Sequence, residues 1–401
     1  MIIHRPIYLD CHATTPVDPR VLEAMLPFFT QYFGNAASVG HTYGWEAEAA
    51  IQQARATLAE AIQATPEEIV FTSGATEANN LAIKGVAEAY FSQGRHIITV
   101  QTEHNAVLDP CRYLQTLGFE VTYLPVQADG LLNLADLEQA MRPDTILVSV
   151  MAANNEIGVL QPLADIGACC RSHQVLFHTD AAQAIAKIPL DVQAMQIDLM
   201  SLTAHKAYGP KGIGALYVRR QHPRVRLAPQ LHGGGQERGI RSGTLYTPQI
   251  VGFATAVALG LDEIATETQR LTTLRESLWQ TLQELPDIHL NGHPLQRLPG
   301  NLNLSVAGVD SQALLLGLQP VVALSSGSAC TAAKTQPSHV LQAIGRSPEL
   351  AAASLRFGIG RFNTPPEIDR VATTVIATIT SLRGTSPRYQ PSEPPLLQIE
   401  Q

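Results

Sequence analysis

Cysteine is scarce: Cys11, Cys111, Cys169, Cys170 and Cys330 are the five in 401 residues. The count is odd and no C-x-x-C pair occurs, which excludes a disulfide framework or a zinc cage. No uninterrupted apolar run reaches the roughly 18 residues that span a bilayer, and Met1-Ile2-Ile3-His4-Arg5 is no secretory leader. Positive charge is not in excess either. The 27 Lys+Arg face 35 Asp+Glu, a formal net charge of -8, which argues against a surface that tracks nucleic-acid phosphates. The short basic cluster Arg219-Arg220 with Arg224 and Arg226 reads as a solvated turn. There is no internal repeat, and no low-complexity block before the last few residues. What is present is 45% hydrophobic against 15% charged, enough to bury a sizeable core and to exclude wholesale disorder. The expectation is a soluble, cytoplasmic globular protein with neither nucleic acid nor membrane as partner. At roughly 150 residues per domain, the length suggests two or three units, or one large domain plus a smaller one.

Short β-rich apolar runs alternate with helical patterns from about residue 66 to residue 220. The runs are Glu68–Thr72, His96–Gln101, Glu120–Leu124, Thr145–Met151, Val175–Thr179, Asp198–Leu202 and Gly214–Val218. Helical periodicity fills Glu77–Tyr90, Ala106–Leu117, Leu134–Met141 and Leu163–His173. That order predicts a largely parallel sheet with helices on both faces. Ligands of such sheets lie beyond the carboxyl ends of the strands, so the residues just after each run are the candidates. A long helix follows from Pro248 to about Leu285, and then a smaller α/β pattern with runs near Asn301–Val306, Val321–Leu324 and Leu355–Gly358. Ser386–Gln401, with four prolines and no helical period, reads as a mobile tail.

The candidates after the runs point to one kind of cofactor. Ser73-Gly74-Ala75-Thr76 opens a helix, where free N–H groups and a positive dipole end suit a phosphate; taken alone, an ordinary Thr N-cap is the simpler explanation. His104 ends the next run, as a structural or a catalytic histidine. Asn154-Asn155-Glu156-Ile157-Gly158 is a polar cluster; turn chemistry accounts for Gly158 better than for two successive Asn. Asp180 closes the run containing His178, with Gln183 on the following helix. A buried acid needs a partner, which a protonated pyridine nitrogen, as in pyridoxal phosphate sites, or a helix N-terminus supplies. His178-x-Asp180 lacks a third ligand at a spacing that would complete a metal shell.

Lys206 directly follows a strand in Thr203-Ala204-His205-Lys206-Ala207-Tyr208-Gly209, surroundings too small and apolar for a solvated basic face. Imine formation with an aldehyde removes the cost of desolvating its ammonium. Thr203 and His205 are then placed to help hold a phosphate, while Lys84, Lys187 and Lys211 read as surface residues. The Gly-rich stretch His232–Thr244 carries Arg238 and Arg241, fit for anion contact or close backbone packing. Cys330 lies among small polar residues, Ser325-Ser326-Gly327-Ser328-Ala329-Cys330-Thr331, the setting of an accessible thiol.

In this order, Ser73–Asn79, Asn154–Gly158, His205-Lys206, Arg238–Thr244 and Ser325–Thr331 resemble the NifS/IscS-type cysteine desulfurases of the class V aminotransferase group. The likeness runs from Tyr8-Leu9-Asp10 to about Arg383, and the Cys330 setting is that of the long-loop subgroup. The resemblance implies an α/β, pyridoxal phosphate-dependent transferase fold type I: a large domain with a mostly parallel seven-stranded sheet plus a smaller α/β C-terminal domain. Its expected boundaries are 1–18, a segment packing on the small domain; 19–255, the cofactor domain; 256–385, the small domain; and 386–401, the tail. It makes Lys206 the Schiff-base lysine, Asp180 the pyridinium partner, Gln183 the contact to the ring hydroxyl and His104 the stacked ring that assists proton transfer. Ala75, Thr76, Thr203 and His205 fall at phosphate positions, and Thr244 at one reaching the phosphate of the other subunit of a homodimer. Asn155 and Arg356 hold the substrate amino acid, and Cys330 accepts its sulfur. The implied reaction turns L-cysteine into L-alanine and a Cys330 persulfide, which passes to a sulfur acceptor or iron–sulfur scaffold protein. Selenocysteine lyase or aminotransferase action on the same scaffold is the alternative. No resident metal is implied, although a transient iron–sulfur ligand role for Cys330 stays open. Three departures are Thr203-Ala204 where Ser-Gly is more frequent, with the hydroxyl kept, Cys11-His12 before Ala13-Thr14-Thr15-Pro16, and a tail unlike the scaffold-docking segment of housekeeping members.

Overall fold

The computed structural model describes residues 5–326, 337–385 and Tyr389. Two compact units divide the chain. The smaller spans Met1–Ala13, Glu156–Gly158 and Glu267–Gln401; the larger spans Thr14–Asn155 and Val159–Thr266. The first boundary falls after Ala13, not at 18, because Thr15 and Asp18 bond to the backbone at His205 and Tyr208 in the larger unit.

Numbered along the chain, β1 is Ile7–Tyr8, and the sheet of the larger unit is built from β2 (Ile69–Thr72), β3 (His96–Val100), β4 (Glu120–Leu124), β5 (Thr145–Ser149), β6 (Leu176–Asp180), β7 (Leu199–Thr203) and β8 (Gly214–Val218). The order is β2-β8-β7-β6-β5-β3-β4. All neighbours are parallel except those of β8, which runs against β7 and β2. Six of the seven strands are buried at every position, and only edge strand β4 keeps exposed residues. Burial on both faces explains why these segments read as continuous apolar runs without alternation. Helices Ala75–Ala89 and Asn105–Thr116 pack Leu81, Val86, Val107 and Leu114 onto Ile97, Leu147 and Leu199. The connection after β3 leads to β4 on one side and the connection after β5 to β6 on the other, so the strand order reverses between β3 and β5. His104 and Asn155 follow those two strands, at the switch point where doubly wound sheets bind ligands.

In the smaller unit, β1 pairs with β11 (Val322–Ala323). A four-stranded antiparallel sheet runs β12 (Ser325–Ser326), β13 (Ser354–Gly358), β10 (Asn301–Val306) and β9 (Ile288–Leu290). Leu302, Leu304, Leu355 and Phe357 pack there against Leu314, Val371 and Val375 of the covering helices. Glu156–Gly158 belongs to this unit because Asn301 and Asn303 donate to the Glu156 carbonyl and Arg297 to that of Ile157. Gly158 has φ +74°, and a Cβ there would lie 2.4 Å from the Asn301 side chain.

One expectation changes. Gln183 sits in a run of turns and not on a helix. Among the described residues the helix Thr247–Leu282 is long and apolar enough to cross a membrane, although its acidic residues interrupt any continuous apolar run. Its apolar side chains have core work instead: Ile250 and Phe253 are buried in the larger unit, Leu274 and Leu278 in the smaller. Of the expected tail, only Tyr389 lies within the described residues. Its hydroxyl donates to Asp287 at 2.8 Å, and the Arg383 guanidinium lies 4.5 Å from its ring.

Candidate active site

Gly74 precedes the helix Ala75–Ala89 with φ 153°, and the first intrahelical bond runs from the Ala78 N–H to its carbonyl. The N–H groups of Ala75, Thr76 and Glu77 therefore come before the ladder begins. A Cβ built on Gly74 would meet only Thr203 Oγ1, at 4.0 Å. Gly214 has no such room, since its Cβ would strike the Gly74 Cα at 2.7 Å. The turn thus rests on the start of β8, beside the end of β7, with its other side clear. Glu77 takes Arg241 of the Gly-rich stretch at 2.7 Å and the Ser73 N–H at 2.7 Å. Burial pushes the Glu77 carboxyl up, but the Arg241 and Ser73 bonds outweigh it and leave the carboxyl below its ordinary value. Thr76 is exposed and Ala75 half-buried, and Thr76 and His104 both line a cavity of about 440 Å³ with Asn80, Lys84 and Tyr113. Lys84, expected on the surface, is half-buried there, its ammonium 5.2 Å from the Tyr113 ring centre.

Asp180, 5% exposed at the end of β6, accepts from Asn79 Nδ2 at 2.7 Å and from the Ala182 N–H at 2.9 Å. Both its oxygens are directed by donors, so the carboxylate is fixed. The neighbouring Glu103 is wholly buried; burial first, then the Asp180 charge, raises its carboxyl well above the usual range. Glu103 accepts from the Met151 N–H. His178 bridges Ser149 Oγ at 2.8 Å and Ser201 Oγ at 3.0 Å, and burial pushes it down to about 4. It is a neutral structural histidine between strands, and no cluster suited to a metal occurs among the described residues. His104 caps the helix Asn105–Thr116: Nδ1 accepts from the Ala106 N–H at 3.0 Å, so the neutral ring carries its proton on Nε2.

Lys206 is half-buried in the turn after β7. The adjoining His205 is pushed down to about 4 by burial, then by the charges of Lys206, Lys211 and Lys187. Lys187 is thus no remote surface residue: its Nζ lies 3.4 Å from Gln183 Oε1, and Gln183 is buried. Thr203 is buried, Asn155 half-buried in the turn after β5, and Thr244 exposed after Gly243. The Gly-rich stretch is tied down by Glu237, which takes Arg55 at 2.6 Å and the Phe71 N–H at 2.7 Å. Asp180 with Asn79 and Gln183 with Lys187 are the side-chain contacts made by the larger unit's candidates, and Gly74 leaves open space toward Thr203.

Arg356 lies in the smaller unit, 1% exposed in the middle of β13, with Nη2 donating to Asp10 Oδ1 at 2.7 Å. Its ladder partner is Ser325 of β12, the strand that leads into the segment containing Cys330. Cys330 itself lies outside the described residues. The other four cysteines are poor thiolate candidates. Cys11, Cys111 and Cys170 are buried, burial pushes Cys111 up to about 12, and Cys169 and Cys170 are raised for the same first reason.

Asn79, Glu103, Asp10 and Thr15 escaped the sequence reading. Asn79 alone left a trace, as a buried amide three residues after Thr76 on a helix whose inner face is otherwise apolar.

Residues 7–371 match the aminotransferase class-V family. The mitochondrial cysteine desulfurase of Arthroderma benhamiae is 56% identical over 96% of this chain and 77% of its own length. The cysteine desulfurase IscS of Methylococcus capsulatus is 53% identical over 96% of this chain and 95% of its own. A solved NifS-like protein superposes with a TM-score of 0.87 at 37% identity, covering 94% of this chain and all of that one. With its seven-stranded, mostly parallel sheet and this ordered set of residues, the chain belongs to the class-V aminotransferase family, among the NifS/IscS-type cysteine desulfurases.

Proposed function

We propose that this chain is a cysteine desulfurase that takes sulfur from L-cysteine, leaves L-alanine and holds the sulfur as a persulfide on Cys330. The observation that carries the reading is a lysine, Lys206, straight after β7, with the donor-fixed carboxylate of Asp180 at the end of adjacent β6. The surroundings fit pyridoxal phosphate. The open face of Gly74 and the N–H groups of Ala75 and Thr76 suit its phosphate, with Thr203, His205 and a second subunit's Thr244 completing the cradle. Asp180 suits a protonated ring nitrogen, Gln183 the ring hydroxyl, and the half-buried His104 the ring face. When bound, the cofactor supplies an electron sink for the pair left at the substrate carbons.

Lys206 binds the cofactor and moves the substrate α-proton. Asp180, oriented by Asn79, keeps the ring proton in place, and His104 offers its Nε2 proton. Arg356 and Asn155 hold the substrate carboxylate. The Cys330 thiolate forms an S–S bond to the substrate sulfur as the Cβ–S bond breaks, and proton return yields L-alanine. Dividing transfer into persulfide formation and relay replaces one difficult step with two easier ones. The relay ends on an acceptor for iron–sulfur clusters or other sulfur cofactors. A soluble cytoplasmic setting is part of the same reading.

A homodimer belongs to the same reading. Phe29, Tyr32, Phe33, Tyr43, Trp45 and Tyr246 of the larger unit are 41–63% exposed, and among them Phe29 packs on Tyr246 at 6.2 Å and Phe33 on Tyr43 at 5.4 Å. Exposed rings of this number in one unit suit an interface. The test is alanine release from L-cysteine by wild type and Cys330→Ala, with L-selenocysteine and amino transfer to a 2-oxo acid measured in parallel. Amino transfer that survives Cys330→Ala, without alanine release from cysteine, would favour an aminotransferase instead.

A further inference from the structure

The mechanism uses Lys206 without using the residues that shape its turn. Thr15, 2% exposed, lies 190 positions before His205 in sequence and touches the turn on both sides of Lys206. Its N–H donates to the His205 carbonyl at 3.0 Å, and its Oγ1 donates to the same oxygen at 2.9 Å. The Tyr208 N–H donates to Thr15 Oγ1 at 3.0 Å. Two flanking bonds extend the contact: Asp18 N–H to the Tyr208 carbonyl at 3.0 Å, and His205 Nδ1 with Thr14 Oγ1 at 3.1 Å. The backbone of Lys206 is therefore bracketed, one residue before and two after.

The turn has reason to need a bracket. Tyr208 has φ 63°, a left-handed conformation that a tyrosine adopts only where its surroundings impose it. At Gly209 a Cβ would lie 2.8 Å from the Ala204 Cβ, so the chain closes tightly on itself. The direction in which Lys206 leaves the backbone thus depends on a hydroxyl from the other end of the unit's sequence.

We propose that Thr15 is a positioning residue for Lys206, its hydroxyl fixing the turn from which the lysine reaches the cofactor and the substrate proton. The proposal rests on the reading of Lys206 given above. Serine can make both hydroxyl bonds; valine keeps the shape and makes neither.

Cofactor-loaded Thr15→Val, Thr15→Ser and Lys206→Ala would be compared in three measurements: alanine release, the pH midpoint of the visible cofactor band, and amide exchange across residues 205–209. Thr15→Val is expected to lower kcat about 10- to 100-fold, the usual effect of misplacing a reacting group by about 1 Å. KM should change by less than about threefold, since uniform binding is spared. The band midpoint should move, exchange should quicken, and Thr15→Ser should restore all of them. Thr15→Val with kcat within about twofold of wild type and an unmoved midpoint overturns the proposal. So does a loss of activity that only tracks the loss of folded protein. If Thr15→Val does not fold, Thr15→Ala is read by the same criteria. Lys206→Ala that keeps its band and turnover would instead overturn the reading of Lys206, a result separate from either outcome at Thr15.

Discussion

The larger and smaller units hold their candidate residues in opposite ways. In the larger unit, His104, Asn155 and Lys206 lie beyond the carboxyl ends of parallel strands, and Asp180 is the last residue of its strand. In the smaller unit, Arg356 sits in the middle of an antiparallel strand, between Asn303 and Ser325. The difference follows from what covers each sheet. Helices on both faces of a parallel sheet leave only its ends for chemistry, so polar residues inside its strands serve the fold. His178 is the example, tied to Ser149 and Ser201 on the strands either side. An antiparallel sheet can offer a strand interior to a ligand, and there a buried arginine needs a counter-charge such as Asp10.

The contrast breaks first at Lys206. Lys206→Ala should reduce alanine release by at least about 10³-fold and abolish the visible cofactor band, since both imine chemistry and proton transfer go with it. Its melting temperature without cofactor should stay within a few degrees of wild type, because a half-buried side chain at a strand end adds little core volume. Thermal melting and a steady-state assay check both halves.

Arg356→Gln should behave differently, lowering both function and stability. Loss of a charge-assisted contact to the substrate carboxylate predicts a fall of about 10- to 100-fold in kcat/KM, mostly through KM. Breaking its pair with Asp10 should cost about 3 kcal/mol in denaturant unfolding. A variant with normal stability and a raised KM would remove the structural half of the comparison.

The smallest effect on turnover belongs to His178. Burial holds it at about 4 in the folded chain against about 6.5 unfolded, so below pH 6.5 the unfolded state takes up the extra proton. The stability present above pH 6.5 is therefore lost as pH falls toward 4, by up to about 3 kcal/mol. Glu103 and Glu156 oppose this trend, because burial raises both, Glu156 to about 7, and they bind protons more readily in the folded chain. The difference between wild type and His178→Asn isolates the histidine: its slope between pH 6.5 and 4 should be positive, with kcat at pH 7.5 changed little. A flat difference would mean that His178 is not held neutral.

The same contrast decided what the sequence disclosed. Buried parallel strands stood out as apolar runs, and residues just past them could be singled out with no knowledge of the fold. Lys206 and Asp180 were singled out that way, while the roles given to Gln183, Thr244 and Arg356 came from the family resemblance. Arg356 sits in Ser354-Leu355-Arg356-Phe357, whose alternation says only that a strand has a polar position. Thr15 and Asp10 were invisible for another reason, and Asn79 showed only as a polar residue on an apolar helix face: their partners His205, Arg356 and Asp180 are distant in sequence, and long-range hydrogen bonds leave no local pattern. Gln183 was misplaced on a helix because turns with a repeated i+3 bond mimic helical spacing. The smaller unit also takes Glu156–Gly158 from the middle of the larger unit's sequence, its Glu156 and Ile157 carbonyls held by two side-chain amides and an arginine from far along the chain.

The central claim is that sulfur leaves L-cysteine onto Cys330. Mass spectrometric mapping of persulfides after a single turnover, set beside alanine release by Cys330→Ser, tests it most directly. The account predicts close to one sulfur atom per site on the peptide containing Cys330, and a serine variant that retains its visible cofactor band but releases little alanine. Sulfur on Cys111, Cys169 or Cys170, with the serine variant still active, would contradict it.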